Sequence, residues 1–262
     1  MTDAAPDALP DAGRLAWWGT AWLRGHVVAD LMVDAVIGGD ATHTVVGLAA
    51  LLGGDPTAEP VAEPLVTGLG RLRVEGARSL GASFPVEGDP VGLGGPPAFN
   101  HAALEEGRAI VALLDGGLEV GGVGLVPVRT GAAVAWVAHR AERRQLPDVG
   151  EADRALRAAL LQTADELAAL DVARWRPEVA DRLMDLRHRD RLTAPEGVPA
   201  RCVELAARGL QALEIAELAL EDDGGAVTAQ EMERRRSALV PLERAGRRAL
   251  TAACSPEVWP PD

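Results

Sequence analysis

The chain has 262 residues, of which 48% are hydrophobic and 25% are charged, and its formal net charge at pH 7 is −13. All 26 basic side chains are arginine, and the sequence contains neither lysine nor tyrosine. This composition excludes phosphate-binding P-loops, Schiff-base chemistry and the Tyr-Lys pair of many dehydrogenases, since each of these sites needs a lysine. A chain this acidic also repels phosphate groups, so we expect it to bind neither nucleic acid nor membranes.

Two helices are predicted at the N-terminus. Residues 12–37 contain no proline, Asp11 is placed to cap them, and a glycine pair follows them, which predicts one long helix. A shorter helix is predicted over residues 42–52, again followed by two glycines. Together they would form an N-terminal helical hairpin within residues 1–54.

A linker and a sheet are predicted next. Residues 55–64 carry proline at every fourth position among acidic residues, which favours an extended connection. From Leu65, arginine and glutamate alternate with leucine and valine, which indicates a strand with one solvated face. Further strands are predicted at residues 108–114, 123–129 and 132–138, the last two joined by a tight turn at Thr130-Gly131. The region 65–139 is therefore expected to form a small, mostly antiparallel sheet.

The remainder of the chain has a helical pattern. Helices are predicted over residues 151–173, 177–186, 200–221 and 228–253, with a capping box at Thr228 and a break or kink at Pro241. These helices would form a C-terminal bundle within residues 140–262. The predicted fold class is α+β, with the hairpin, the linker, the sheet and the bundle in that order.

The cysteines and the N-terminus indicate a compartment. Cys202 and Cys254 are far apart and belong to no CxxC motif, which argues against a disulfide framework or a zinc site and predicts two buried thiols. The first eleven residues are acidic, unlike the basic start of a secretory signal. We therefore expect a cytoplasmic protein.

The sharpest candidate for chemistry is a set of polar residues in the first predicted helix. His26, Asp30 and Asp34 recur at every fourth position and would share one face of a continuous helix. Such a ladder would suit a divalent metal or a histidine base paired with a carboxylate. The competing interpretation is structural: these groups bond to arginines elsewhere or form a solvated stripe. We expect no metal and no cofactor, because the sequence marks no partner ligands.

A loop rich in glycine and proline precedes a short predicted helix. Residues 88–97 would bring backbone N–H groups to an anionic ligand, with Asn100 and His101 as neighbouring contacts. The glycine spacing does not match a nucleotide-binding fingerprint. A tight crossover, with Asn100 as a helix cap and His101 on the surface, is the simpler interpretation.

Arginines gather near the end of the predicted sheet. Arg140, Arg143 and Arg144 have only Glu142 as a nearby acid, so they are candidates for contact with an anion or a partner. Two other arginine groups lie around His188 and in the last predicted helix, and solvated faces are their usual explanation. In the last helix, glutamates at helical spacing neutralise part of the charge.

Three segments carry a resemblance to other proteins. They are RRQLPDVGEADR from Arg143, ARWRPEVAD from Ala173 and ACSPEVWPP from Ala253. With them the chain resembles a family of actinobacterial proteins without an assigned activity. The resemblance implies a cytoplasmic protein of actinobacterial type and implies no ligand or catalytic residue.

Two functions stay open at the level of sequence. The leading hypothesis is a non-enzymatic interaction or regulatory protein, whose acidic surface binds another protein with a basic face. The alternative is an enzyme that acts on a small anionic substrate, with His26, Asp30 and Asp34 as the reactive face and arginines as clamps.

Overall fold

The computed structural model describes residues 9–55, 59–115, 121–169, 192–221 and 229–260. The helices in these ranges are α1 (Asp11–Arg24), α2 (Ala29–Ile37), α3 (Leu48–Leu51), α4 (Leu65–Val74), α5 (Pro97–Glu106), α6 (Val149–Ala169), α7 (Ala200–Glu221) and α8 (Ala229–Ala253). The strands are β1 (Thr42–Val46), β2 (Ala62–Pro64), β3 (Gly81–Ser83), β4 (Ala109–Leu113), β5 (Gly122–Thr130) and β6 (Ala133–Ala141). The predicted α+β class, with helices at both ends of the chain, is confirmed.

The strands form one sheet in the order β2-β1-β6-β5-β4-β3. Every neighbouring pair is antiparallel except β1 and β6, which run parallel. β5 and β6 form the predicted hairpin, with Thr130 paired to Ala133 and Gly131 at a positive φ of 59° in the turn. The predicted strands at 108–114, 123–129 and 132–138 are therefore confirmed.

Both edges of the sheet are protected against pairing with another chain. At the β3 edge, the N–H of Ala82 donates to the carbonyl of Cys254 at 2.8 Å, which ties the end of α8 to the strand. At the other edge, β2 has only three residues and ends at Pro64. Short strands and proline are common ways of preventing edge-to-edge aggregation.

The first predicted helix is divided in two. Gly25 adopts a left-handed conformation with φ 82°, and the N–H of His26 donates back to the carbonyl of Ala21 at 2.8 Å. This geometry ends α1 at Arg24, and α2 begins at Ala29. The N-terminal helical pair therefore turns at Gly25 instead of at the glycine pair near residue 38.

Two further elements differ from the sequence prediction. The residues predicted as the second helix form β1 and the short α3, because β1 pairs along its whole length with β6. The residues predicted as a strand from Leu65 form α4, because Leu65, Leu69 and Leu72 make one buried helical face. Gly68 lets α4 approach β1, since a Cβ there would lie 2.6 Å from the Val45 side chain.

Helices cover both faces of the sheet. On one face α1 packs against β3 and β4, and α4 packs against β1. On the other face, α5 places Phe99 against Gly124 of β5, where a Cβ would collide with the ring. Since β1 and β2 join the sheet from the ranges predicted as hairpin (1–54) and linker (55–64), those ranges contribute to the sheet.

The C-terminal helices α6, α7 and α8 pack together as a bundle. A continuous cluster of buried side chains joins this bundle to the sheet, and it includes Trp17 of α1, Trp136 of β6 and Leu250 of α8. α8 continues through Pro241 without an interruption. The helix predicted at 177–186 and the capping box at Thr228 lie outside the described residues.

Candidate functional site

The most distinctive polar site surrounds a buried histidine on β1. The Trp136 indole Nε1 donates to His43 Nδ1 at 3.2 Å, and His43 Nε2 lies 2.9 Å from Asp40 Oδ2. Because an indole N–H can only donate, Nδ1 accepts and Nε2 carries the proton that it donates to Asp40. The imidazole is therefore a neutral ring with one fixed tautomer. We call Asp40, His43, Arg129 and Trp136 the His43 cluster.

The pKa values of the cluster follow from this arrangement. Burial lowers the pKa of His43 and outweighs the opposing effect of the Asp40 carboxylate, so the net direction is downward. Partial burial raises the pKa of Asp40, but the hydrogen bonds from Arg129 and His43 together reverse it, and its pKa lies below the ordinary value. Both shifts favour a neutral imidazole beside an ionised carboxylate.

Arginines connect the cluster to the neighbouring elements. Arg129 donates to both oxygens of Asp40, at 2.6 and 3.3 Å. Arg14 lies 3.9 Å from the same carboxylate and donates to the carbonyls of Val36 at 3.1 Å and Leu9 at 2.8 Å. Asp40 thus contacts charged or polar side chains of α1, β1 and β5, and Arg14 also links α1 to the end of α2.

Asp11 forms a second ion pair beside the cluster. Its side chain is 5% exposed and lies 2.8 Å from Arg108 Nε and 3.9 Å from Arg129. Asp11 is the first residue of α1, whereas the residue at the capping position is Pro10. The prediction of Asp11 as an N-cap is therefore wrong, because its carboxylate pairs with arginines of the sheet.

The accessibility of His43 limits the chemistry of this site. Its side chain has no exposed surface, and each ring nitrogen already has a partner. A general base must reach the proton that it removes from a substrate. The arrangement is suited to holding the sheet and the N-terminal helices together.

The predicted ladder of His26, Asp30 and Asp34 does not form. His26 lies in the turn between α1 and α2, while both aspartates lie on α2, and all three are exposed. The left-handed Gly25 changes the chain direction before the helical spacing can align them. Among the described residues, no group of three or more His, Cys, Asp or Glu side chains is arranged to hold a metal ion.

The three arginines proposed as partner contacts divide into two classes. Arg140 and Arg143 are exposed. The Arg144 side chain is 1% exposed, pairs with Glu257 at 2.8 Å and donates to the Ala82 carbonyl at 3.0 Å. Arg144 is thus corrected from a partner contact to an internal link between β3 and the C-terminal segment. Arg140 and Arg143 stay predicted contacts.

Asn100 and His101 lie in the first turns of α5. Asn100 Oδ1 accepts from the N–H of Gly95 at 3.0 Å, so Asn100 holds the preceding loop instead of capping the helix, which begins at Pro97. The His101 side chain is 77% exposed and lies 3.4 Å from Glu105. Their roles as ligand contacts stay predictions.

The loop 88–97 is fastened to the bundle. Asp89 is 5% exposed, and its carboxylate lies 2.8 Å from Arg248 and 3.5 Å from Arg244 of α8. The Ser83 hydroxyl, from β3, donates to the carbonyl of Val91 at 2.6 Å. These contacts agree with the crossover interpretation of the loop, and the two arginines of α8 bind an internal carboxylate.

The cysteines are buried, as the sequence predicted. Burial raises the pKa of Cys202 to about 11. It also raises the pKa of Cys254, which is fully buried near Gly13 of α1. Both thiols therefore stay protonated at neutral pH, and neither has the thiolate character of a nucleophile.

A shallow hollow lies where α1 ends. Arg24, His26, Glu196 and Trp259 line its rim, with Trp17 below, and the Arg24 guanidinium lies 5.9 Å from the Trp259 ring centre. It is too shallow to enclose a water molecule. This hollow is thus a surface dimple.

Comparison with known proteins identifies the family. The N-terminal domain of the Rv1486c-like proteins matches residues 12–152, and their C-terminal domain matches residues 150–251. The chain belongs to the Rv1486c-like family. This confirms the resemblance to actinobacterial proteins that the sequence indicated.

Two relatives in Mycobacterium tuberculosis align along almost the whole chain. Uncharacterized protein Rv1486c of strain H37Rv and Uncharacterized protein MT1533 of strain CDC 1551 are each 26% identical over 297 aligned positions. Each alignment covers 94% of this chain and 97% of the relative. No solved structure matches the chain. Within the described residues, no helix is both long enough and apolar enough to cross a membrane.

Sequence reasoning missed the His43 cluster. Asp40 and His43 are only three residues apart, which is a local sign of a possible pair. The helix predicted over residues 42–52 placed His43 in the wrong kind of element, so the pair was not recognised. Arg129 and Trp136 lie about ninety residues further along the chain and reach the cluster only through the β1–β6 pairing and the hairpin. The sequence contains no signal for that pairing.

Proposed function

We propose that this protein is a non-enzymatic cytosolic protein that acts by binding another protein, with an acidic surface directed at a basic partner. The observation that carries the proposal is the burial of His43. The pair formed with Asp40 has the composition of a catalytic dyad, yet the imidazole has no exposed surface and no free ring nitrogen. Its protonation is fixed by internal contacts, which suits a structural role.

Other reactive groups support the same conclusion. The buried thiols have raised pKa values. The Ser255 hydroxyl is buried and donates to the carbonyl of Thr251 at 2.6 Å. Asp89 and Asp11 are neutralised by arginines. The Ser255 hydroxyl and the two carboxylates thus take part in contacts within the protein.

The net charge of the chain favours a basic partner. A net charge of −13 on 262 residues attracts basic proteins over distances of about 8–10 Å at physiological ionic strength. Complementary charge raises the rate of association and selects the partner, while buried apolar contacts supply most of the affinity.

The proposal is tested by separating binding from turnover. The tagged full-length protein is isolated from its native cells, and each co-purifying protein is expressed and titrated against it by calorimetry. We expect direct binding by one basic protein, with an affinity that falls at least tenfold between about 50 mM and about 500 mM salt.

A parallel experiment addresses the enzymatic alternative. The purified protein is incubated with a small-molecule extract of the same cells, and the extract is analysed by mass spectrometry before and after incubation. We expect no metabolite to change. Conversion of an anionic metabolite, together with no direct binding by any purified candidate, would replace the interaction proposal with the enzyme.

A further inference from the structure

The outer side of α2 exposes apolar surface. Val28, at the residue before the helix, is 70% exposed, and Leu31 is 49% exposed. Leu31 and Ala35, which is partly exposed, are four residues apart and lie on one side of the helix, and Val28 precedes them in an extended conformation; we call these three residues the apolar row. Met32 and Val36 are buried and form the inner side of α2. The apolar row therefore lies on a solvent-exposed flank of α2, next to its buried side.

An acidic row lies beside the apolar one. Asp30 and Asp34 are four residues apart and both are exposed. Neither takes part in an ion pair with any other described residue. This contrasts with Asp11, Asp40 and Asp89, whose carboxylates all contact arginines. The outer side of α2 thus combines two carboxylates that pair with no described residue with exposed apolar area, and we call these five residues the α2 face.

The scaffold holds α2 in place. At its start, the chain turns at the left-handed Gly25. At its end, Arg14 donates to the carbonyl of Val36, and the N–H of Gly38 donates to the carbonyl of Asp34 at 3.0 Å. A surface that is fixed before binding loses little conformational entropy when a partner docks.

We propose that the α2 face is the docking site for a basic amphipathic helix of another protein. Apolar side chains of the partner, spaced three or four residues apart, cover Val28 and Leu31, and flanking arginines or lysines pair with Asp30 and Asp34. This inference rests on the proposed function and names its contact surface. Charge complementarity selects a basic segment over an acidic or neutral one.

The contact is tested by site-specific photo-crosslinking. A photoreactive amino acid replaces Leu31 in the full-length protein in its native cells, and the crosslinked peptide is sequenced. The matched control places the same amino acid at Leu161 on α6, which is 71% exposed. We expect Leu31 alone to crosslink a segment with basic residues flanking apolar residues at helical spacing.

A second measurement uses the identified partner. The double variant Asp30→Asn, Asp34→Asn should bind it about tenfold more weakly at low salt, and the difference should disappear at high salt. Leu31→Ala should weaken binding at both salt concentrations, because its contribution is apolar. Both aspartates are exposed, so neither replacement disturbs the core.

The possible failures are distinguishable. A partner that crosslinks from Leu161 but not from Leu31, or that binds the aspartate double variant with unchanged affinity, leaves the interaction function in place and overturns the α2 face. A crosslink within the chain, to a second copy of it or to an acidic segment also overturns this docking site. If no purified protein binds at all, the proposed function itself is wrong.

Discussion

Gly209 of α7 and Gly246 of α8 face each other where the two helices cross. A Cβ added to either glycine would lie 3.1 Å from the carbonyl oxygen of the other. Because the obstacle is backbone on both sides, no side chain can rotate away to make room. The pair therefore sets how closely the two helices approach.

Replacement of Gly209 by alanine should lower the free energy of unfolding by about 1–3 kcal/mol through overpacking. The control is Gly70→Ala on α4, where an added Cβ meets nothing within 4 Å. Alanine there should raise stability by up to about 1 kcal/mol, because it favours helix more than glycine does. Urea unfolding measures the free energy of unfolding of both variants. A change of the same sign in both would contradict the close crossing of α7 and α8.

Stability should fall as the pH falls below about 6.5, the ordinary pKa of histidine. The folded state keeps the pKa of His43 lower, so the unfolded chain binds more protons in this range and acid favours it. The loss should reach at most about 1.4 kcal/mol per pH unit for this group.

Urea unfolding at several pH values between about 8 and 5 tests this prediction. His43→Gln should flatten the dependence. Burial also lowers the pKa of His139, so His139→Gln is the matched control. This variant should remove a separate part of the pH dependence of stability. An unchanged slope in His43→Gln would show that His43 is protonated equally in both states.

Replacement of Arg129 by methionine should destabilise the protein by about 1–2 kcal/mol, a value reduced because its side chain is 34% exposed. Asp40 loses its bidentate partner, so its pKa should rise. The contribution of Asp40 is present above its unfolded pKa and is lost as the pH falls through the lower folded value. The difference in the free energy of unfolding between wild type and variant should therefore become smaller as the pH falls.

The control for Arg129 is Arg78→Met. Arg78 lies 3.9 Å from Asp115, and both side chains are more than 70% exposed. Exposed pairs contribute little, so this variant should unfold as the wild type does. Equal losses in the two variants would mean that the Arg129–Asp40 contact adds nothing beyond an ordinary surface pair.

Neither cysteine should react with iodoacetamide in the folded protein near neutral pH. Burial raises the pKa of Cys202 to about 11 and also raises that of Cys254, so both lack thiolate and access. Both should react once urea unfolds the chain. Mass spectrometry counts the added groups, and rapid labelling of a thiol in the native state would show that the packing around that cysteine opens.

Local patterns predicted the elements whose neighbours in space are also neighbours in sequence. The β5–β6 hairpin follows from alternating residues around Thr130-Gly131, and α6, α7 and α8 follow from helical periodicity. The burial of both cysteines follows from their apolar surroundings. In these segments, local propensity and tertiary packing favour the same structure.

Prediction from local patterns failed where the local pattern is weak and a contact with a distant segment determines the secondary structure. Residues 42–46 form a strand because β6, about ninety residues away, supplies hydrogen-bonding partners. The alternation at the end of α4 suggested a strand, yet the buried row from Leu65 to Leu72 has helical spacing.

The sequence by itself determined that the chain is strongly acidic, has no lysine and has two thiols suited to burial. It also determined the β5–β6 hairpin and the helical C-terminal region. Only the tertiary structure decided that His43 meets Asp40 and Trp136, that Arg144 is internal, and that α2 exposes Val28 and Leu31. The physical reason is that burial and pairing depend on contacts between distant segments, and no periodicity within one segment specifies which partner it meets.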